Sequence, residues 1–164
     1  MQSEGVRRPS IALALLVVAC SRPKPPTITP EKAQVTAIGP AGIEMNVELS
    51  VENPNGIELS ARSVTAKVVL DGQYALRPLT VPHNFTLTAR SRSRLVVPMA
   101  LKWEEVSTLL VLARSNRNIP YDVDGSVNVG GETVNMDVPF HLRGEVTHEQ
   151  LLQTTLNSLP RLLP

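Results

Sequence analysis

Cysteine is almost missing from this sequence of 164 residues, with Cys20 the single example. An internal disulfide is thereby excluded, and so is a thiolate-rich zinc site. Aromatic side chains are scarce too: Trp103, Tyr74, Tyr121, Phe85 and Phe140 are the whole set, and the formal net charge is only +1. Nucleic-acid binders combine a strong basic field with aromatic stacking platforms, and the sequence has neither. Nucleophile elbows of the G-x-S-x-G type and phosphate-binding P-loops are lacking as well. The histidines His83, His141 and His148 are scattered, without the spacing of a zinc enzyme. Neither catalysis nor a cofactor is expected.

What is present is 42% apolar and 19% charged residues with 14 prolines, the composition of one globular, turn-rich domain. Its ends differ from its middle. Residues 1–19 place Arg7 and Arg8 before an apolar stretch from Ile11 to Ala19, the layout of an export signal. That stretch is too short to span a bilayer, which needs about 20 apolar residues. The run Val17-Val18-Ala19-Cys20 resembles the lipobox of bacterial lipoproteins. The resemblance implies cleavage before Cys20, a thioether-linked diacylglyceryl group on its sulfur and acylation (palmitate or a similar chain) of the new amino terminus. Several chains make a durable anchor, because each buried methylene contributes about 0.8 kcal/mol. Ser21, rather than Asp, after the cysteine resembles an outer-membrane address, so the expected location is the periplasmic face of that membrane.

The segment 20–32, with four prolines in SRPKPPTITPEK, reads as an extended tether. Twelve such residues at about 3.1 Å each would hold the domain about 37 Å off the lipid. The domain itself is expected over 33–145, and a leucine-rich tail over 146–164.

Alternation with period two marks the strands. Ile43, Met45, Val47, Leu49 and Val51 alternate with Glu44, Asn46, Glu48, Ser50 and Glu52. Similar patterns place strands at 33–39, 42–52, 60–71, 83–90, 94–101, 120–129 and 132–142, about seven in all. Taking Gly130-Gly131 as a two-residue turn sets Val129 opposite Glu132, Gly125 opposite Met136 and Tyr121 opposite Phe140. That register puts Asp124 opposite Asp137 with Asp122 beside it, an unfavourable cluster of like charge. Screening, a bulge, or a hard cation such as calcium would each relieve it.

After Trp103, the spacing of Val106, Leu109, Leu110 and Ala113 predicts one amphipathic helix, with Glu104 and Glu105 at its start, Arg114 near its end and Pro120 stopping it. Thr147-His148-Glu149-Gln150 is a capping-box pattern ahead of Leu151, Leu152, Leu156 and Leu159, so a short carboxy-terminal helix is expected. The fold class is all-β, an antiparallel β-sandwich with one inserted helix.

Two stretches carry a family resemblance. Val51-Glu52-Asn53-Pro54-Asn55-Gly56 follows the long alternating strand, and Ile119-Pro120-Tyr121-Asp122-Val123-Asp124-Gly125-Ser126-Val127 opens the last hairpin. Together they resemble the late embryogenesis abundant group 2 family, also called the water stress and hypersensitive response (WHy) domain, over about residues 33 to 142. The resemblance implies a fibronectin type III-like sandwich, a link to desiccation and stress, and no catalytic residues to carry over.

Asn53, Pro54, Asn55 and Gly56 read as a structural turn: Pro54 fixes φ, the asparagines bond local backbone, and Gly56 tolerates positive φ. Arg90, Arg92 and Arg94 alternate at a strand turn, either as a solvated turn or as a fork for phosphate, including lipid head groups. The expected role is a lipid-anchored, non-catalytic binding or protective module linked to desiccation. The alternative is a structural accessory subunit of an envelope assembly, docking through a sheet edge or the tail. Expected partners are the membrane, through acylated Cys20, and an envelope protein or lipid head groups.

Overall fold

A computed structural model describes residues 23–105, 107–131 and 135–152. Eight strands follow one another: β1 (Thr27–Gly39), β2 (Gly42–Glu52), β3 (Leu59–Leu70), β4 (Tyr74–Ala75), β5 (Leu79–Leu87), β6 (Arg92–Lys102), then α1 (Ser107–Ala113), β7 (Ile119–Gly130) and β8 (Asn135–Val146). They form two antiparallel sheets. One has the order β1-β2-β6; the other has the order β4-β3-β7-β8, with β5 also paired to β3.

The alternation read from the sequence becomes the interface between these sheets. Ile43, Met45, Val47, Leu49 and Val51 of β2 are 0–3% exposed and align with Leu101, Met99, Val97, Leu95 and Ser93 of β6. Val64, Ala66 and Val68 of β3 and Val123, Val127 and Val129 of β7 face them from the other sheet, all buried. Full burial of a Val- or Leu-sized side chain contributes about 1.5–3 kcal/mol, so these inward rows dominate the stability of the sandwich. A one-residue slip would turn a whole row to water.

Strand β1 starts at Thr27, inside the segment read as a tether, and six of its residues there, Thr27 to Lys32, lie along Glu52 to Glu48 of β2. Its alternation is hidden by bulges between Pro30 and Lys32 and between Val35 and Ala37. Pro30 is tolerated because β1 is an edge strand. The tether therefore gives way to sheet well before residue 33.

The β7–β8 register also differs from the glycine-turn expectation. Gly130 pairs with Asn135, so every β7 residue meets a partner four positions further along β8 than a two-residue turn would give. Because four is even, the apolar faces stay together. What changes is who meets whom: Gly125 lies under Phe140 and Gly144 under Tyr121. Each aromatic ring fills the space over a glycine, where an added Cβ would come within 2.4 Å of the Phe140 ring and 2.3 Å of the Tyr121 hydroxyl. The same shift replaces the Asp124–Asp137 clash with Asp124 opposite His141 and Asp122 opposite Arg143. Both packing and charge select this register.

Helix α1 ends at Ala113, the last residue of its apolar spacing, and Val106 lies outside the described residues. Glu104 and Glu105 precede it, Leu109 and Leu112 are its buried residues, and Leu110 is 53% exposed. It stops long before Pro120. Ser115 donates its backbone and hydroxyl hydrogens to the Leu112 carbonyl at 3.1 and 2.6 Å, and Asn116 turns the chain at φ 51°. Pro120 instead lies in β7, opposite Glu145. The capping box forms as expected: the Thr147 amide donates to Gln150 Oε1 at 3.0 Å and the Gln150 amide donates to Thr147 Oγ1 at 3.3 Å. It opens a helical turn at 148–152 that buries Leu151; Leu156 and Leu159 lie outside the described residues.

Tyr121 joins the two sheets. Its hydroxyl donates to the Ala33 carbonyl at 2.9 Å, and the residue is 3% exposed. Burial pushes its phenol above the ordinary value. The folded state thus holds this proton more tightly than the unfolded chain, a contribution complete below the unfolded pKa of about 10 and lost as pH rises through the folded value. Tyr121→Phe is expected to lower stability by about 1 kcal/mol near neutrality and to flatten the loss of stability above pH ~10, read from urea unfolding as a function of pH. Gly125→Val, which drives a side chain into Phe140 and the Thr65 carbonyl, should cost about 2–3 kcal/mol in the same assay.

Candidate functional site

The antiparallel course of the strands gives the sandwich two poles. At one lie the amino-terminal entry to β1, the β2–β3 loop and the β5–β6 loop; at the other lie the β1–β2 hairpin, α1 and the carboxy-terminal helical turn. The first pole is organised by Asn53, which is 0% exposed and is the buried polar residue among those described.

Its side chain uses its hydrogen-bonding groups fully. Nδ2 donates to the carbonyls of Ile57 at 2.9 Å and Leu87 at 3.0 Å, with Thr88 further off at 3.4 Å. Oδ1 accepts from the Asn55 backbone and side-chain amides, both at 3.0 Å. The Asn53 backbone amide donates to the Ser91 carbonyl at 2.9 Å, and the Arg90 amide donates to the Asn55 carbonyl at 3.0 Å. One asparagine thus ties together the two loops that carry the chain between sheets at this pole. The asparagines bond local backbone, as the sequence suggests, but Gly56 does not take positive φ. Arg90 does, at 51°, and its guanidinium lies over Gly56, where an added Cβ would stand 3.5 Å from Nη2.

Asn55 reaches the other way. Its Oδ1 accepts from the Lys24 amide at 2.7 Å and its Nδ2 donates to the Lys24 carbonyl at 2.8 Å, so the side chain imitates the peptide of a neighbouring strand. The incoming chain is clamped at Lys24. Between clamp and loop opens a cleft of about 390 Å³ bordered by Lys24, Pro54, Ile57 and Arg90. Ile57, unremarked in the sequence because it breaks no pattern, is 54% exposed at its lip. A second cleft, about 240 Å³ and mostly apolar, lies at the opposite pole between Ile38, Ile43 and Leu101.

The three arginines separate into two kinds. Arg92 Nη2 lies 2.8 Å from Glu52 Oε2, and Arg94 pairs with Glu48 and, at 3.8 Å, with Glu31. Hydrogen bonding and the charge of these glutamates hold both guanidinium groups above their ordinary pKa. A fork of three free guanidinium groups does not form. Arg90 alone of the three has no carboxylate partner among the described residues.

Of the three aspartates, two share His141 and the third is apart. Asp122 Oδ1 accepts from Arg143 Nε at 2.8 Å, and His141 Nδ1 lies 2.8 Å from Asp124 Oδ1 and its Nε2 3.6 Å from Asp122. Asp137 is elsewhere, accepting from Asn128 Nδ2 at 2.7 Å. Among the described residues no group of three His, Cys, Asp or Glu is arranged to hold a metal. Cys20 lies outside the described residues. Asn53→Ala is expected to cost about 2–4 kcal/mol by stranding the Leu87 and Ile57 carbonyls. Asn55→Ala should leave global unfolding within about 1 kcal/mol of the parent while raising the hydrogen-exchange rate of the Lys24 amide, read by NMR.

Comparison with solved structures places this architecture. A crystal structure of a protein from Archaeoglobus fulgidus is similar at TM-score 0.57 and 14% identity, over 73% of this chain and 97% of that one. A solution structure from Arabidopsis thaliana is similar at TM-score 0.62 and 14% identity, over 84% and 91%. A solution structure of a protein called late embryogenesis abundant (LEA) is similar at TM-score 0.58 and 17% identity, over 75% and 71%. These likenesses show the fold. None of the curated proteins matches the chain. Residues 48–144, more than half the sequence, match the family described as Late embryogenesis abundant protein, and they include both the Asn53 loop and the Tyr121 strand. The chain belongs to the late embryogenesis abundant protein family.

Proposed function

We propose that this protein is a non-catalytic module of the water-stress type within its family, held on a bacterial membrane by an acylated Cys20, where it binds and protects envelope components during water loss. The observation that carries the reading is the family match over 48–144, which spans the Asn-Pro-Asn-Gly loop. Its support comes also from the solved structure called a late embryogenesis abundant protein and from the lipobox-like run Val17-Val18-Ala19-Cys20. The location proposed is the periplasmic face of the outer membrane, from Ser21 following the cysteine.

A second reading, an accessory subunit of an envelope assembly, is favoured by the apolar side chains left at the pole remote from Lys24. Leu110 and Val111 of α1 are 53% and 50% exposed and Leu152 is 43% exposed. Such residues suit a protein partner. The two readings separate in one experiment. The protein, freed of its acyl chains, is expected to preserve the activity of a test enzyme through drying and rehydration and to co-purify with no stoichiometric partner. Loss of protection together with one stoichiometric partner in the pull-down establishes the second reading. Cys20→Ser is expected to abolish incorporation of radiolabelled palmitate and to release the protein from membranes; retention of both overturns the anchor.

A further inference from the structure

The clamp on Lys24 changes the geometry of anchoring. With a free tether to residue 32 the domain would stand away from the lipid. Instead the chain is fixed by Asn55 at Lys24 and enters β1 at Thr27. Only four peptide units separate Cys20 from Lys24, a span of at most about 14 Å at about 3.6 Å each. If Cys20 is acylated, as proposed above, the Asn53 pole lies against the head groups. The far pole, with α1, is about 36 Å away along β2, eleven residues at about 3.3 Å each.

The side chains at the near pole suit that position. Lys24 and Arg90 border one cleft and neither has a carboxylate partner among the described residues. Arg62 stands nearby with its guanidinium on the Gly131 carbonyl. The exposed carboxylate of this loop is Glu58. Ile57, 54% exposed, projects an apolar group at the cleft's lip between these cations. A cation pair around an exposed branched apolar residue is the chemistry of shallow insertion into an anionic interface: guanidinium and ammonium meet phosphate, and the apolar group enters the head-group layer. The opposite pole carries both signs, Glu104, Glu105, Glu145 and Glu149 beside Arg77, Lys102, Arg114 and Arg117, so the short link to Cys20 rather than a charge contrast selects the near pole.

We infer that the pole formed by Lys24, Ile57 and Arg90 is a docking surface for an anionic phospholipid bilayer, orienting the sandwich upright with α1 and the carboxy-terminal helical turn facing away from the lipid. The surface and the anchor act together: acylation supplies residence and the pole supplies orientation.

The test uses the full chain. Cys20→Ser is compared with Cys20→Ser carrying Lys24→Gln and Arg90→Gln, both added to vesicles of phosphatidylglycerol and phosphatidylcholine or of phosphatidylcholine alone. Both chains keep the same leader, so their difference isolates the pole. The Lys24 backbone clamp does not involve the substituted side chain, and unchanged melting temperatures verify folding. On anionic vesicles the partition coefficient should fall on the order of tenfold with the two glutamines, and the difference should vanish on phosphatidylcholine alone. Equal partitioning on anionic vesicles overturns the surface. In reconstituted acylated protein, an environment-sensitive fluorophore on Ile57→Cys should be quenched by a lipid-borne quencher and one on Val111→Cys should not; equal quenching overturns the orientation. Mass analysis of the Cys20 peptide reports the anchor separately. An unmodified Cys20 with a tenfold difference in partitioning discards the anchor and keeps the surface, and the reverse result does the opposite.

Discussion

Everything at the amino-terminal pole depends on the amide of Asn53 having its partners. A two-sheet sandwich must carry its chain from one sheet to the other, and here both β2–β3 and β5–β6 make that passage at the same end. Crossing loops leave carbonyls that no ladder satisfies, and a buried one left unpaired costs about 1–3 kcal/mol. A single carboxamide resolves both crossings, because it offers two donors and an acceptor from one short side chain. Aspartate lacks the donors and glutamine is a methylene too long for the same geometry. The Asn55 carboxamide then repeats the device outward, and the amino-terminal segment becomes part of the domain.

The core was legible because burial on one face of a strand enforces alternation, which β2 and β6 carry without interruption and β3 carries beyond its bulge at Ala61 and Ser63. The capping box at Thr147 and Gln150 was legible for a similar reason, since its chemistry is local. What escaped was non-local. The first half of β1 looks like a linker because prolines and a bulge obscure its period, while what makes it a strand is its pairing with β2. Adjacent glycines suggest a tight turn between β7 and β8, but the Tyr121–Gly144 and Gly125–Phe140 pairs that decide the register span 23 and 15 positions of chain. The arginines looked alike in sequence. Whether each meets a glutamate is settled by the neighbouring strand, which gives Arg92 and Arg94 partners and leaves Arg90 at the turn. Likewise Ile57 carries no pattern of its own, and its meaning comes from standing beside Lys24, 33 residues earlier.

Charge on the outer faces is arranged in rungs rather than patches. Asp122 with Arg143, Glu52 with Arg92 and Glu48 with Arg94 each cancel across a strand pair. Exposed pairs of this kind contribute little stability, about 0–1 kcal/mol each. Their larger effect is on the field around the molecule, because pairing across strands reduces the charge that the broad sides of the sandwich present.

The irregular outer edge of the smaller sheet has a consequence of its own. As water is withdrawn, macromolecules are concentrated, and an open row of backbone donors and acceptors invites a second copy to add its strand. In β1 that row is interrupted by Pro30 and by two kinks, so successive amides do not align with any straight partner. The same features that disguise this strand in the sequence therefore keep neighbouring copies from zipping together when the surroundings become crowded.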